Sequence, residues 1–589
     1  MTAPASQLST KRGLELLARF VRAPQLLLAL AVLAALCPFL SKPLNGDDPL
    51  FVWTARHIQQ HPANPFGFDV NWYDTTSPMW EVTKNPPLAS YYLALAGSLL
   101  GWTEPALHGA LLIPALAAIL GTHRLARRFT KRPLLAAAAT LATPVFVVTS
   151  TTLMCDTLML AFWVWAAVLW VEGLDANSSR QLIGSALLVA LAALTKYFAI
   201  GLIPLLAAYS WIPDKQRLMP KRKAAFSGLL LLIPVAIVSA YEWATRAHYG
   251  MGLLSEAAHY ALTTRVLGVA GLSNGLMTLD FTGACLATAS FLALLLWRNR
   301  PLMGISAAVL IVIGVLFAGN RMLKPYDELS SPGAVQFQII AWAIGGSGIL
   351  ALAILDVWRN RDSGAWFLAL WILGTFAFAG FFNWIVNARS ILPMAPAVGI
   401  LMARQLERGR QPTDRAWSFR NWGLGNWAGK SVWLCVIASA GLSLWTARSD
   451  FLFAKASREI AGQAWNKYAR SEHTLWFEGH WGFQYYMEKF GGNARAVVAQ
   501  HSAPRPGDYL AIPLNNSNIA MPNTNFWHPS EILSLPGPRW LATTSKEVGA
   551  GFQASVWGPL PFGFGPVPPE RVLVYVIRPP TLPIPAGSP

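Results

Sequence analysis

Long apolar stretches recur between residues 24 and 447 and are separated by short polar loops. Hydrophobic residues make up 54% of the 589 residues and charged residues only 13%, a balance that the core of a soluble protein does not require. A helix of roughly 20 apolar residues crosses the hydrocarbon layer of a bilayer. The sequence therefore predicts a multi-spanning α-helical membrane protein.

The excess of positive charge, +17 at pH 7, falls mainly in the short loops between these stretches. The basic loops are residues 122–132, 214–223, 298–300, 359–361 and 403–415. Basic residues are typical of cytoplasmic loops, so their placement indicates membrane orientation and argues against a nucleic-acid partner. We expect a multi-pass protein of the cell membrane with a cytoplasmic N-terminus, whose first apolar stretch is retained and is not a signal peptide.

The same charge rule determines how residues 86–122 are interpreted. If residues 86–102 and 105–122 both crossed the membrane, the basic loop 122–132 would lie outside. We therefore expect residues 86–102 to form a helix at the outer interface and residues 105–122 to form the second span. The alternation predicts about thirteen spans, near residues 24–41, 105–122, 133–150, 157–173, 181–195, 198–213, 224–241, 276–297, 303–318, 334–357, 363–382, 391–405 and 430–447.

The composition changes after residue 447, and short strand-like stretches replace the long apolar ones. Residues 1–447 are predicted to form the transmembrane domain, in which residues 42–104 are a first outer loop with juxtamembrane helices. Residues 448–589 are predicted to form a small α/β domain outside the membrane, periplasmic or extracellular. Its strands are expected at 473–479, 494–500, 507–514 and 571–579, with a helix at 481–491 and an extended Pro-rich tail at 579–589.

Ionisable residues of the apolar region collect at the predicted outer ends of the spans. They are Asp47, Asp48, Lys84, Asp156, Lys196 and Arg389. Each has an ordinary structural explanation on its own: a solvated loop start, a hydrogen-bonded buried acid, or a cation whose stem lies along the interface. Ionisable groups near lipid are costly, and their occurrence on one face predicts an active site there.

These residue types suit the transfer of a sugar from a lipid phosphate. An acid at the membrane edge, beside a second acid, has a raised pKa and can deprotonate an acceptor hydroxyl. Arginine or lysine can hold the departing phosphate. Asn85, followed by Pro86, predicts a helix N-terminus whose free amides can face that phosphate.

Aromatic and polar residues are dense in the first outer loop. Trp72, Tyr73 and Asp74 are candidates for sugar or acceptor binding, because aromatic faces together with carboxylates and amides are typical of carbohydrate clefts. His57 is a further candidate, although a histidine on an amphipathic helix is more often a packed surface residue. The aromatic residues are equally compatible with a belt at the membrane interface.

Five segments follow one another in an order that resembles a known family. They are NGDDPLF, KNPPLASYYLALAGSLLGW, TSTTLMCDTLMLAFWVWAAVLW, LTKYFAIGLIPLLAAY and NARSILPMAPAVGILMA. They resemble the bacterial type C glycosyltransferases of the protein O-mannosyltransferase and lipid A aminoarabinose transferase-like superfamily, over about residues 24–405. The sequence departs from the family at Asn85, where His or Lys usually precedes the Pro, at Ser390, where Tyr is common, and at Tyr197, where Gly is usual.

The resemblance implies a type C glycosyltransferase fold and an inverting hexosyl- or pentosyltransferase that uses a polyprenyl-phosphate-linked sugar donor. It implies Asp47 as the general base, with Asp48 and Asp156 assisting or holding the acceptor or a metal. Lys84, Arg389 and Asn85 would face the donor phosphate. The acceptor, whether protein, lipid or envelope glycan, stays open. No cofactor is the first expectation, and a divalent metal also stays open.

Two other functions remain compatible with the sequence. An oligosaccharyltransferase or glycan ligase with a lipid-diphosphate donor commonly needs a divalent metal, for which the three aspartates offer oxygen ligands. A transporter of lipid-linked sugars or solutes places its charges near the midplane in broken helices, often within an internal repeat. Here the charges lie at span ends and no repeat is evident.

Overall fold

The computed structural model of the chain describes residues 24–212, 227–264, 270–296, 323–408, 427–469, 472–494 and 504–578, with residues 304, 308, 309, 312 and 314 between them. Most of the expected span 303–318 therefore lies outside the described residues. The same holds for residues 495–500 of one expected strand and for the whole Pro-rich tail, residues 579–589.

Apolar helices make up most of the described chain before residue 470. The first group is α1 (Pro24–Leu36), α2 (Asp48–Gln60), α3 (Met79–Val82), α4 (Leu88–Leu100), α5 (Glu104–Phe129), α6 (Pro133–Leu141), α7 (Pro144–Thr149), α8 (Asp156–Asp175), α9 (Ser179–Thr195) and α10 (Leu202–Trp211). The second group is α11 (Leu232–Tyr249), α12 (Leu253–Thr263), α13 (Ala270–Cys285), α14 (Ala287–Leu296), α15 (Pro332–Asn360), α16 (Ser363–Ala377), α17 (Ala395–Arg408) and α18 (Trp427–Tyr468).

Within the described residues, six helices are long and apolar enough to cross a membrane, or seven if one bent pair counts as a span. They are Glu104–Phe129, Asp156–Asp175, Ser227–Tyr249, Pro332–Asn360, Ser363–Phe382 and Lys430–Tyr468, with the bent pair Ser273–Cys285 and Ala287–Ala293. The chain is thus a multi-spanning helical membrane protein. Several other expected spans are shorter apolar helices, so the number thirteen stays a prediction.

The helix over residues 88–100 has 13 residues, which corresponds to a length of about 20 Å at about 1.5 Å per residue. This is shorter than a hydrocarbon layer of about 30 Å. Its length agrees with the expectation that residues 86–102 do not form a full span.

Two expected single spans are broken in the structure. Residues 133–150 divide into α6 and α7, because Thr143 caps a new helix that begins at Pro144. Residues 276–297 divide into α13 and α14, which meet at 90°. Hydropathy does not reveal such breaks, because it records how apolar a stretch is and not the direction of its helix axis.

The described strands are β1 (Asp69–Asn71), β2 (Thr76–Pro78), β3 (Leu475–Phe477), β4 (Asn493–Ala494), β5 (Tyr509–Pro513), β6 (Trp527–Leu535), β7 (Leu541–Ala542), β8 (Thr544–Ser545), β9 (Ala550–Gly551), β10 (Gly563–Phe564) and β11 (Glu570–Ile577). Five of them form one sheet in the order β4-β3-β5-β11-β6. Helix α19 (Trp481–Phe490) connects β3 to β4. The strands expected at 473–479, 507–514 and 571–579 and the helix at 481–491 coincide with these elements.

Strand β6 was not predicted from the sequence. It lies at the edge of the five-stranded sheet and contains Pro529 together with several polar, exposed residues. Proline cannot donate a ladder hydrogen bond and is tolerated at a sheet edge. The stretch therefore lacks the continuous apolar pattern of the central strands, which explains why it was overlooked.

The polar C-terminal region packs directly on the helices. Helix α18 continues without a break through the expected domain boundary at residue 447. Phe552 and Leu560 belong to the main core of the helical region, and Leu541 and Phe562 pack with Ala284 of α13. These contacts bring residues 541–564 to the end of the helical bundle where the candidate site lies.

Candidate active site

Arg389 is the centre of a charged cluster at one end of the helical bundle. Its Nη2 lies 3.3 Å from Asp47 Oδ2, and its Nη1 lies 3.9 Å from Asp156 Oδ2 and 2.7 Å from Met154 Sδ. The side chain is 14% exposed. Its Nε is buried and has no hydrogen-bond partner among the described residues. One N–H donor of the guanidinium is therefore left unsatisfied by the described residues.

The loop before α17 fixes the position of this arginine. Asn387 accepts hydrogen bonds from the backbone N–H and the hydroxyl of Ser390, at 2.9 and 3.0 Å, and so caps the short 3₁₀ turn that carries Arg389. The N–H of Ala388 donates to the carbonyl of Phe552 at 2.9 Å. The C-terminal region thus helps to orient Arg389.

Asp156 is completely buried in the first turn of α8. Its Oδ1 accepts a hydrogen bond from Lys196 Nζ at 2.5 Å, and Lys196 directly follows the last residue of α9. Two cations and a helix N-terminus therefore stabilise this carboxylate. Asp156 holds Lys196 and Arg389 in place and lines neither of the two cavities described below.

The two adjacent carboxylates that follow α1 have different surroundings. The side chain of Asp47 is 38% exposed and lines a polar cavity. Asp48 is fully buried and accepts hydrogen bonds from the N–H groups of Asn45, at 3.1 Å, and Leu153, at 2.7 Å. Asp48 therefore joins the loop after α1 to the loop before α8, and Asp47 is the member of the pair that faces open space.

Burial raises the pKa of Asp48 to about 6, although nearby Lys42 and the two N–H donors oppose the rise. A raised pKa means that the fold binds the proton more tightly than the unfolded chain does. This stabilisation is complete below about pH 4 and is lost as the pH rises through about 6, a change of about 3 kcal/mol.

We expect the thermal stability of the wild type to fall relative to Asp48→Asn as the pH is raised from 4 to 7, because Asn has no proton to lose. Thermal unfolding of the purified protein in detergent, followed by intrinsic fluorescence at several pH values, measures the difference. Asp69→Asn is the control, since Asp69 is exposed. Parallel pH profiles for the wild type and Asp48→Asn would show that Asp48 is not the titrating group.

Lys84 and Asn85 line the same cavities as the arginine and begin the segment that leads into α4. Lys84 Nζ donates to the carbonyl of Glu81 at 2.8 Å, lies 3.7 Å from Glu256, and sits over the ring of Tyr260. Burial lowers its pKa, which Glu256 partly offsets. Asn85 is not a helix cap in the structure, because Pro87 occupies the cap position of α4. The expected helix N-terminus is therefore displaced by two residues.

Two cavities meet at this cluster. A polar cleft of about 430 Å³ is bounded by the loop after α1, the first outer loop and the C-terminal region. A largely apolar groove of about 750 Å³ lies between α10, α12 and α16. The residues that line both cavities are Lys84, Asn85, Tyr260, Trp384 and Arg389. Asp47 lines the polar cleft but not the apolar groove.

The structure separates the four candidates for sugar binding. Trp72 and Tyr73 line the cleft, and Tyr73 is 46% exposed. Asp74 and His57 line neither cavity. Asp74 accepts a hydrogen bond from His480 at 3.2 Å, and His57 packs between His61 and Phe68. Asp74 thus contacts the residue that precedes Trp481, which lines the cleft, whereas the ring partners of His57 do not line the cleft.

Several residues that line the cavities were not singled out from the sequence. Tyr260 of α12 packs edge-on against Trp384, and both touch the two cavities. Trp481 and Trp557 bring the C-terminal region into the polar cleft. For Trp481, the sequence did offer one signal: the GHWG turn after β3, in which His480 and Trp481 lie between two glycines.

Two of the three carboxylates that were considered as metal ligands are already engaged by other groups. Asp156 is bound to Lys196 and approached by Arg389, and Asp48 is bound to two N–H donors. Across the described ranges there is no group of three or more His, Cys, Asp or Glu residues arranged to hold a metal ion. No step of the reaction considered below is routed through a metal.

Residues 84–241 match the model of the dolichyl-phosphate-mannose-protein mannosyltransferase family. The match includes Lys84, Asn85, Asp156 and Lys196 and confirms, for this part of the chain, the resemblance to type C glycosyltransferases that the sequence motifs indicate. No protein of curated function matches the chain in sequence.

Several solved structures are similar to this chain at low sequence identity. ArnT from Cupriavidus metallidurans in the apo state is 14% identical, with a TM-score of 0.49, over 83% of this chain and 92% of that one. The oligosaccharyltransferase of Archaeoglobus fulgidus is 12% identical, with a TM-score of 0.47, over 80% of this chain and 63% of that one. The Pmt1–Pmt2 protein O-mannosyltransferase complex of S. cerevisiae is 16% identical, with a TM-score of 0.30, over 43% of this chain and 36% of that one.

Proposed function

We propose that this protein is a glycosyltransferase that moves a sugar from a polyprenyl-phosphate carrier to an acceptor at the outer face of the membrane. The observation that carries the proposal is the Asp47–Arg389 pair, which lies where an apolar groove meets a polar cleft. A lipid-borne donor and a water-borne acceptor can meet at such a junction. The match of residues 84–241 to a family of lipid-phosphate-dependent mannosyltransferases supports the same class of reaction.

The donor would lie with its prenyl chain in the apolar groove and its phosphate among the residues shared by the two cavities. Arg389 has a free N–H donor on its guanidinium, and Lys84 supplies a second positive charge. Charge-assisted hydrogen bonds from such groups stabilise a phosphate oxyanion as it develops. Asn85, which lines both cavities, adds a neutral amide for the same group.

Asp47 would act as the general base. The acceptor hydroxyl gives its proton to the Asp47 carboxylate while its oxygen forms a new bond to the anomeric carbon of the donor sugar. The bond between that carbon and the phosphate oxygen breaks, and its electron pair leaves with the polyprenyl phosphate. This single displacement inverts the anomeric carbon. Asp48 and Asp156 take positioning roles in this scheme, because neither lines the cleft.

The orientation follows from the distribution of charge. The end of the bundle away from the site carries the ion pairs Arg124–Glu172, Arg128–Asp175 and Arg404–Asp356, together with the basic loops expected inside. We infer that the N-terminus is cytoplasmic, that the chain has about thirteen spans, and that residues 448–589 lie outside as a domain that covers the cleft.

One observation favours the transporter alternative. Asp280 is fully buried in α13, next to the bend between α13 and α14, and neither of its oxygens has a hydrogen-bond partner among the described residues. A buried acid beside a broken helix is common in transport pathways. Asp280 lines neither of the two cavities at the charged cluster, so the transferase reaction remains the better explanation of that cluster.

Mass spectrometry of membrane lipids tests the proposal in cells that carry the wild type, a deletion or Asp47→Asn. We expect one polyprenyl-phosphate sugar to accumulate equally in the deletion and in Asp47→Asn, which would also identify the donor. If the lipids change in the deletion while Asp47→Asn resembles the wild type, Asp47 is not the base and transport must be considered. Accumulation of a lipid-diphosphate glycan instead would indicate the oligosaccharyltransferase reaction.

A further inference from the structure

The C-terminal region forms one wall of the polar cleft. Trp481, at the start of α19, and Trp557 lie there with their ring centroids 5.0 Å apart and their planes inclined by 58°. Ser517, Asn518 and Gln553 line the cleft beside them. This wall therefore combines two large aromatic faces with hydroxyl and amide groups.

The position of Trp481 is imposed by its surroundings. Its backbone has φ of +61°, a conformation that is strained for a bulky side chain. Asn516 holds the preceding peptide, since its side chain accepts from the N–H of His480 and donates to the carbonyl of the same residue. The following Gly482 leaves no room for a Cβ, which would lie 2.1 Å from the carbonyl oxygen of Leu44. These contacts fix the backbone on both sides of Trp481, whose side chain lines the cleft.

Three residues that line the same cleft each carry a buried polar atom without a hydrogen-bond partner in the described part of the chain. Thr54 is 1% exposed, and its Oγ1 has no hydrogen-bond partner among the described residues. Gln553 Oε1 and Asn45 Oδ1 are also buried atoms without a hydrogen-bond partner among the described residues, and both residues line the cleft. Most buried polar groups are paired in folded proteins, so unpaired atoms on residues that line a cavity favour a ligand that completes them.

The charges that line the cleft are already engaged. Lys42 pairs with Asp450, Asp47 pairs with Arg389, and Lys84 lies near Glu256. The remaining polar groups of the cleft are hydroxyls and amides. An ionic ligand would find no unpaired charge along the C-terminal wall, whereas a ligand with many neutral hydroxyls would find both donors and acceptors.

We propose that the Trp481–Trp557 wall binds a neutral saccharide unit of the acceptor, with a sugar face against the indoles and its hydroxyls on Gln553 and Thr54. The acceptor would then be a glycan or glycolipid, and one of its hydroxyls would point towards Asp47. This inference rests on the proposed function, because it concerns the second substrate of that reaction. It assigns the selection of the acceptor to the wall that contains Trp481 and Trp557.

Saturation-transfer NMR on the purified full-length protein tests the inference. The probes are neutral methyl glycosides of mannose, glucose, galactose and arabinofuranose, with an uncharged Ser/Thr peptide as comparator. The detergent must lack a sugar head group, because an alkyl maltoside would compete for the site. We expect a saturation-transfer signal for at least one glycoside, which would show that it binds. The apparent Kd of this glycoside should rise about tenfold in Trp557→Ala, as for the loss of an aromatic anchor.

Two further variants protect the test against a folding artefact. Gln553→Ala removes only an amide and is expected to weaken binding of the same glycoside without loss of the fold, which thermal unfolding checks. Trp540→Ala is the matched control, since Trp540 is 62% exposed and lies outside the cleft. Unchanged glycoside binding in both Trp557→Ala and Gln553→Ala would overturn the inference. A saturation-transfer signal for the peptide and for none of the glycosides would overturn the inference in favour of a protein acceptor.

The outcome is distinguishable from failure of the proposed function. If a lipid-linked sugar accumulates in Asp47→Asn but no glycoside binds, the transferase reaction stands and the saccharide wall does not. If glycoside binding depends on Trp557 and Gln553 while the lipids are unaffected by Asp47→Asn or the deletion, the saccharide site stands and the donor assignment fails.

Discussion

Asp47→Asn is expected to lower the rate of sugar transfer by about 10²–10⁴-fold, the usual contribution of a positioned general base. Asn can still accept a hydrogen bond from Arg389 but cannot take the proton of the acceptor hydroxyl. The side chain of Asp47 is 38% exposed and faces the cleft, so the substitution leaves no buried group without a partner and the fold should be retained.

Consumption of a radiolabelled polyprenyl-phosphate sugar by membranes that contain equal amounts of each variant measures this effect. Such membranes also supply the acceptor, which is not yet identified. Asp69→Asn is the matched control, because Asp69 is an exposed carboxylate in the same outer loop. A near-normal rate for Asp47→Asn would remove Asp47 as the base.

Arg389→Ala is the second change with a large expected effect, a loss of donor consumption of about 10²–10³-fold, as for the removal of an oxyanion-stabilising donor. The guanidinium contacts both Asp47 and Asp156, and its Nε–H has no hydrogen-bond partner in the described part of the chain. Arg389→Lys should recover only part of the activity, since lysine restores the charge but not the planar set of donors.

Donor binding and transfer can be separated for the Arg389 variants. We expect weaker binding of polyprenyl phosphate, measured by the shift that this lipid causes in thermal unfolding, together with the slower reaction. Arg124→Ala serves as the control, because Arg124 forms an exposed ion pair with Glu172 at the opposite end of the bundle, where such pairs contribute little. Full activity in Arg389→Ala would exclude the proposed phosphate site.

The local sequence determined the positions of most helices and the residues of the charged cluster. Apolar length and the placement of basic loops predicted membrane helices, and the interfacial assignment of residues 86–102 agrees with the short helix observed. Asp47, Lys84, Asp156 and Arg389 were singled out because charge near lipid is costly. The distances around Arg389 show that it meets or approaches Asp47 and Asp156, and Lys84 lines the same cleft.

Only the tertiary structure distinguished between neighbours that look alike in the sequence. Asp47 and Asp48 are adjacent identical residues. Asp48 is buried and accepts a hydrogen bond from the backbone N–H of Leu153, whereas Asp47 lines the cleft. That contact joins residues more than a hundred positions apart, so local pattern could not reveal it. The same holds for the break between α13 and α14, where the helix axis turns by 90°.

The wall formed by Trp481 and Trp557 also depended on the tertiary structure. Helix α18 and the pairing of Ala388 with Phe552 carry a polar, weakly patterned region back onto the helical bundle. Hydrophobic periodicity records which face of an element is buried, but it does not record which distant element covers that face. The sequence by itself therefore determined that the chain crosses the membrane and where its charges collect, and only long-range packing decided which side chains form the cleft.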